Sequence, residues 1–216
     1  MTTAPQEPVA DRVEPRPVLD REVLHTGAIF DLVRDRVDLG GAGTVSREYL
    51  DHPGAVAVVV LDEQDRVLLL RQYRHAVRTR MWEIPAGLLD VVGEPAVDAA
   101  ARELAEEADL TAARWDTLVD FATTPGASNE ALRVFLARDV APVPDADRHE
   151  RTGEEAEIVT RWVPLDDAVA LVLAGELHNP AACVGVLAAA ASRAGGWTSL
   201  RAADAAWPHR RGTLPD

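Results

Sequence analysis

The stretch from Gly87 to Leu110, GLLDVVGEPAVDAAARELAEEADL, constrains this chain more than any other. From Val97 to Ala108 it is rich in alanine and free of glycine and proline, so it reads as a helix. Within that helix Arg102, Glu103, Leu104, Glu106 and Glu107 form the pattern R-E-L-x-E-E. Helical residues three and four apart share a face, which sets Glu103 beside both Glu106 and Glu107. Three carboxylates on one strip repel one another unless a cation sits among them. Hard divalent cations select carboxylate and carbonyl oxygens and often bind substrate phosphates as well. The pattern therefore points to metal-assisted phosphate chemistry.

The rest of the chain supplies a scaffold for that helix. Short alternating pieces from Asp20 (EVLHTGAIFDLVRDRVDL) and the segment VSREYL read as strands, separated by Gly40, Gly41 and Gly43. Ala55 to Leu61 (AVAVVVL) is a continuous run typical of a central strand, and Val67 to Arg71 returns beside it after a turn at Asp62 to Asp65. Trp115 to Thr123, Ala131 to Ala137 and Ile158 to Val163 are further strand candidates, and Pro142 to Glu157 reads as a loop. Leu165 to Leu177 reads as a helix. Asn179 caps another, with Pro180 at its first position, which runs to about Arg193 and stops at Gly195 and Gly196. Strands, one helix, strands and two helices predict a mixed α/β (α+β) sandwich, not a doubly wound parallel sheet.

Composition narrows the function. With 36 acidic against 22 basic residues and a net charge of −14, the chain lacks the basic footprint of a nucleic-acid binder and the charge for docking on anionic membranes. A phosphorylated small molecule remains compatible, because bound cations invert the local field. The single cysteine, Cys183, lies in an apolar run and reads as a small buried hydrophobe. The six histidines are scattered with no H-x3-H pair, and there is neither a G-x4-G-K-[ST] phosphate loop nor a G-x-S-x-G turn. No apolar stretch is long enough to span a membrane, and the acidic, proline-rich start is unlike a signal peptide, so the expected setting is the cytoplasm.

The Gly87-to-Leu110 segment resembles the Nudix box, G-x5-E-x7-R-E-U-x-E-E-x-G-U, with Gly87, Glu94, Arg102, Glu103, Leu104, Glu106, Glu107 and Leu110 at its positions. There are two departures. One extra residue separates Gly87 from Glu94, and Asp109 stands where the family has its later glycine. The preceding WEIPAG is also typical. The resemblance implies a Nudix fold, a mixed β-sheet sandwiched between helices with an N-terminal antiparallel strand region. It implies these divisions: residues 1–17 a disordered arm, 18–52 a strand region exchanged in a homodimer, 53–194 the Nudix domain, and 195–216 a tail of uncertain order. Within the family the chain looks most like the ADP-ribose pyrophosphatases, on the strength of Pro125, the segment VLLLRQYRHAVRTRMWEIPAGLLD and the ending HNPAACVGVLAAA.

That likeness implies hydrolysis of ADP-ribose to AMP and ribose 5-phosphate with Mg²⁺ or Mn²⁺. Alternatives are another nucleoside diphosphate sugar, a dinucleotide coenzyme, or a sensor that binds the nucleotide without turnover. Glu103, Glu106 and Glu107, with the carbonyl of Ala86, are the implied metal ligands, and Arg102 the residue that orients the glutamates. Glu94 is implied to support the start of the helix. The base is expected on a later loop: Glu155 first, then Glu154, then Glu157. Arg71, Arg74 and Arg78 offer charge for phosphate, although Arg74 and Arg78 read equally as solvated. Tyr73, Trp82 and Phe30 are candidates for stacking on adenine, with core packing the competing reading for Trp82 and Phe30. Glu83 and Glu130 are candidate acceptors for the adenine amino group or a ribose. The turn containing Gly126 and Ser128 offers backbone donors for the terminal ribose, or is an ordinary β-turn.

Overall fold

The computed structural model describes residues 8–151 and 156–210. β1 (Val18–Thr26), β2 (Asp31–Asp38) and β3 (Thr44–Asp51) make a separate antiparallel sheet in that order. It is pinned across its strands at Asp35, whose carboxylate accepts two hydrogen bonds from Arg21 at 2.8 Å each and one from the Tyr49 hydroxyl at 2.9 Å. The Arg21 bond holds Asp35 below the usual carboxylate range. Burial, then donation to Asp35, pushes the Tyr49 phenol up to about 12.

The body is organised by β4 (Ala55–Val60), whose six residues are all buried. Strand alternation sends Ala55, Ala57 and Val59 to one face and Val56, Val58 and Val60 to the other. A strand with no wet face needs a layer on each side. α1 (Ala96–Ala108) covers the second face with Ala99, Ala100 and Leu104. α2 (Leu165–Leu173) and α3 (Pro180–Ala194) cover the first with Leu165, Ala168, Ala182, Val186 and Ala189. α3 comes close because Gly185 has no side chain: a Cβ there would lie 2.8 Å from Val59 Cγ2.

β4 pairs in parallel with β9 (Ala131–Pro142) and antiparallel with β7 (Ala86–Leu88), inside a five-stranded sheet that continues through β8 (Leu110–Ala122) to β11 (Arg201–Ala202). A second sheet orders β10 (Val159–Pro164), β5 (Arg66–Arg74) and β6 (Thr79–Glu83). The expected mixed sheet between helices is thus present. No helix among the described residues is long and apolar enough to cross a membrane.

Some boundaries differ from those read in the sequence. β8 starts at Leu110, not Trp115, and β9 runs to Pro142, not Ala137, because the hairpin ladder continues from Leu110↔Pro142 through residues without clean apolar alternation. α2 stops at Leu173, not Leu177, since Gly175 takes a left-handed turn (φ +73°). Leu177 is nonetheless buried, in the core under α3. Asn179 caps α3 as expected, its Oδ1 accepting the Ala182 N–H at 3.0 Å.

The tail, left open by the sequence, joins the main sheet through Arg201 and Ala202 and buries Trp207 against it. Arg133, 2 % exposed, donates to the Ala205 and Ala206 carbonyls and to both oxygens of Asp120, and its guanidinium lies over the Trp207 ring. Arg201 adds a bond to Asp120. Burial pushes the Asp120 carboxyl up, but the bonds from Arg133 and Arg201 outweigh it and the net direction is down. A carboxyl held below its unfolded value contributes stability that is present above that value and lost as pH falls through the folded one. Wild type should therefore resist urea better than Asp120→Asn at neutral pH, and the gap should close as pH drops below about 4. Urea midpoints of both proteins across that range check this.

Candidate active site

The site forms where α1 meets β7. Glu107 follows Ala100 and Leu104 along the buried side of α1, so its carboxylate points inward and is 6 % exposed. There it accepts the Ala86 N–H at 2.9 Å. Glu103, one turn earlier, reaches the next residue of the same strand: a Cβ on Gly87 would lie 2.0 Å from its Cδ and Oε1. Glu103 and Glu107 thus converge on neighbouring residues of β7, with Glu106 farther out on the rim.

Arg102 ties the group together. Its Nε and Nη2 donate to Glu94 at 3.1 Å each, and its Nη1 to Glu103 at 2.7 Å and Glu106 at 3.4 Å. The Arg102 bond holds the Glu94 carboxyl below the usual range against a small burial effect, and the same bond, then Glu103, raises Arg102. Among the described residues no three carboxylate, histidine or cysteine groups are already gathered to hold an ion. Even so, the donor set fits a hard divalent cation. It is all oxygen, it includes one deeply buried carboxylate, and the missing side chain at Gly87 leaves room for Glu103. Binding an ion would loosen the grip of Arg102 on Glu103 and Glu106.

The NUDIX domain family matches residues 51–182, which contain this helix, its strand and β4 to β10 around them. The chain belongs to the Nudix family. It is 45% identical over 192 residues to an ADP-ribose pyrophosphatase of Mycobacterium tuberculosis, covering 89% of this chain and 91% of that protein. To an ADP-ribose pyrophosphatase of Bacillus subtilis it is 33% identical over 160 residues, covering 74% and 84%. A crystal structure of an ADP compounds hydrolase superposes with a TM-score of 0.68 at 18% identity, covering 87% of this chain and 98% of that one, a likeness of fold. Nudix hydrolases generally need a divalent metal, which agrees with the oxygen donors at α1 and β7.

Other candidate residues of this Nudix domain fall into separate groups. Arg74 donates to Glu83 through Nε at 2.9 Å and Nη2 at 2.6 Å, and Gln72 donates to the same carboxylate, so Glu83, 1 % exposed, is the counter-ion of Arg74. Arg71 shares a strand face with Leu69 and Val67, which pack toward α2 and α3, the side opposite α1. Its guanidinium rests on Trp82 at 5.4 Å, and Arg161, which sequence reading missed, lies 5.2 Å from the same ring. Trp82 also packs against the α3-side core, in line with its competing reading. Tyr73 is exposed and meets His75 edge-on.

Phe30 is not in the core. It is 41% exposed and stacks on His52, whose Nε2 lies 3.8 Å from Glu130. Gly126, Ser128 and Glu130 line one cavity of about 650 Å³ with Tyr49, Phe121 and Trp207, and none of the α1 glutamates lines it. Arg78 is the left-handed cap of a short turn. Of the base candidates, Glu154 and Glu155 lie outside the described residues, and Glu157 is exposed, 3.4 Å from Arg80. His52 and Arg151, the latter bonded to the end of α1, were also missed. Both are single polar residues in loops or strand ends, with no periodic signal to expose them.

Gly87→Ala separates stability from catalysis. The added carbon meets the far end of a flexible side chain, which swings away cheaply, so the melting temperature should hardly change. The displaced Glu103 carboxylate should cost turnover about 10²-fold or more. Thermal denaturation and steady-state kinetics on one preparation check both halves.

Proposed function

We propose that this protein hydrolyses the pyrophosphate bond of ADP-ribose, releasing AMP and ribose 5-phosphate, in the cytoplasm and with Mg²⁺ or Mn²⁺. The observation that carries this reading is the 45% identity to a named ADP-ribose pyrophosphatase along nearly the whole of both chains. The box carboxylates Glu103, Glu106 and Glu107 are all present, which favours turnover over sensing.

Glu103, Glu106, Glu107 and the Ala86 carbonyl would hold the cation. When bound, it neutralises phosphate charge and acidifies a water. The chain's own residues do the rest. Arg102 sets the orientation of Glu103 and keeps Glu94 ionised at the start of α1. Glu107, buried against the Ala86 N–H, fixes the strand that presents the carbonyl. Glu155, with Glu154 and then Glu157 behind it, would take the proton of the attacking water. Phe30, Tyr73 and Trp82 would offer ring faces to adenine, and Arg71 and Arg74 charge to phosphate. Glu83, Gly126, Ser128 and Glu130 would offer polar contacts to adenine or the riboses.

The reading includes a homodimer in which the N-terminal strand region, residues 18–52, is exchanged between the two copies. Val18, Leu19, Val23, Ile29 and Phe30 are exposed on or beside the β1-β2-β3 sheet, and exposed apolar side chains there favour burial against a partner. Sedimentation should give twice the 23.3 kDa chain mass, and Val23→Asp with Ile29→Asp should shift it toward the monomer with loss of activity.

Hydrolysis of ADP-ribose in ¹⁸O-labelled water with Mg²⁺ is the direct test. AMP and ribose 5-phosphate should appear, with the label in one of them, and chelation should stop the reaction. Glu103→Gln and Glu107→Gln should each lose about 10²–10³-fold in kcat. No cleavage by wild type, or unchanged cation-dependent cleavage by both variants, would refute the proposal.

A further inference from the structure

We propose that Glu83 is a positioning residue that, with Gln72, aims the guanidinium of Arg74 at the phosphates of the substrate; the idea rests on the pyrophosphatase reading above and has Glu83 act through Arg74, not by touching the substrate. Strand alternation puts Gln72 and Arg74 on the face of β5 that carries Leu68, and Leu68 belongs to the core that α1 covers. Glu83 joins that face from β6, where it stands opposite Leu70. The three side chains therefore lie on the α1 side of their sheet.

Glu83 is 1 % exposed and Gln72 7 %. Glu83 Oε1 accepts Arg74 Nε at 2.9 Å, and Oε2 accepts Arg74 Nη2 at 2.6 Å and Gln72 Nε2 at 3.3 Å. The Arg74 side chain is 41% exposed, so a buried carboxylate holds a guanidinium that reaches the surface. Two mobile partners at a surface fix little. Here one partner is held inside the fold, and the other inherits its place. Two parallel bonds set both the plane and the direction of the fork, as a single bond to an ammonium would not. They occupy its Nε edge, which turns Nη1 away from Glu83.

Glu83 is also tied to the metal-binding strand. Only Ile84 and Pro85 separate it from Ala86, whose N–H is held by Glu107. Ile84 is buried in the core, and the Pro85 carbonyl accepts the Val58 N–H at 2.8 Å, so this link is fixed at both of its residues. At full extension its three steps span on the order of 10 Å. The anchor of Arg74 and the carbonyl expected to face the cation are thus parts of one short, braced segment. The spacing between cation and guanidinium, which a diphosphate must match, is set by that segment and not by a flexible side chain.

The test uses full chains and reads the dissociation constant for ADP-ribose in EDTA, by calorimetric titration, beside kcat and KM with Mg²⁺. Glu83→Gln keeps the shape and removes the charge, while Glu83→Asp keeps the charge and shortens the reach. Both should weaken binding and raise KM about tenfold, with kcat within about threefold. Gln72→Met should give a smaller loss in the same direction. Arg74→Ala/Glu83→Gln should bind no more weakly than Arg74→Ala, because Glu83 acts only through Arg74. A charge acting through its field alone would bind the anion more tightly once its counter-ion is neutralised, so tighter binding by Glu83→Gln overturns the proposal. So does a lowered melting temperature with both constants at wild-type values, the mark of a buried pair that only holds the sheet. Variants that match a wild type able to bind and cleave ADP-ribose remove this role alone; a wild type that does neither removes the functional reading first and this role with it.

Discussion

One contact sets the geometry of this protein: the Glu107 carboxylate accepting the Ala86 N–H beneath the helix. A carboxylate this deeply buried is costly unless its oxygens find donors. Meeting that demand with the backbone of β7 locks α1 in register with the strand. The lock brings Glu103 over Gly87 and leaves Arg102 free to reach across to Glu94 and Glu106. The apolar part of the helix, Ala99, Ala100 and Leu104, supplies the attraction to the sheet, but small side chains alone would allow sliding. A polar bond inside an apolar interface fixes position where packing fixes only proximity.

The electrostatic layout follows from that register. An acidic chain concentrates carboxylates on one helix and holds two of them, Glu103 and Glu106, with the guanidinium of Arg102 on that same helix. The same arrangement recurs elsewhere in the molecule. Arg74 serves Glu83, Arg133 serves Asp120 and Arg21 serves Asp35, each across neighbouring strands. In each case arginine offers two parallel donors to a carboxylate that has lost most of its water.

The sequence made some features plain and hid others, for physical reasons. The helix and the two-sided strand were legible because their signals are dense: Val97 to Ala108 has no breaker, and Ala55 to Leu61 has no polar residue. The cap at Asn179 was legible because capping is local. The extent of β8 and β9 was not, since ladder bonds between backbones need no pattern in side chains. The tail was illegible for a related reason. Trp207 is buried by Arg133, 74 positions away in the chain (207 minus 133), and no local rule links them. At the site, the shared face of the glutamates came from helical spacing, and the role of Arg102 from the likeness to the Nudix box. Arg71 is a different case: its assignment to phosphate came by likeness, and the structure lays its guanidinium on Trp82. The pairing of Arg74 with Glu83 was hidden because two candidates for substrate contact can equally well satisfy each other.

The junction between the N-terminal sheet and the body has a mechanical consequence. Leu50 exchanges backbone bonds with Ala127 and Asn129, and Asn129 grips Asp51 and the His52 N–H with its amide. Together these bonds make the seam a short zipper of amides. Amides along such a seam should trade hydrogen for deuterium through a local unlatching, well before the β4 interior does. The N-terminal sheet is thus latched to the body at a seam of hydrogen bonds that stands apart from the hydrophobic layers around β4.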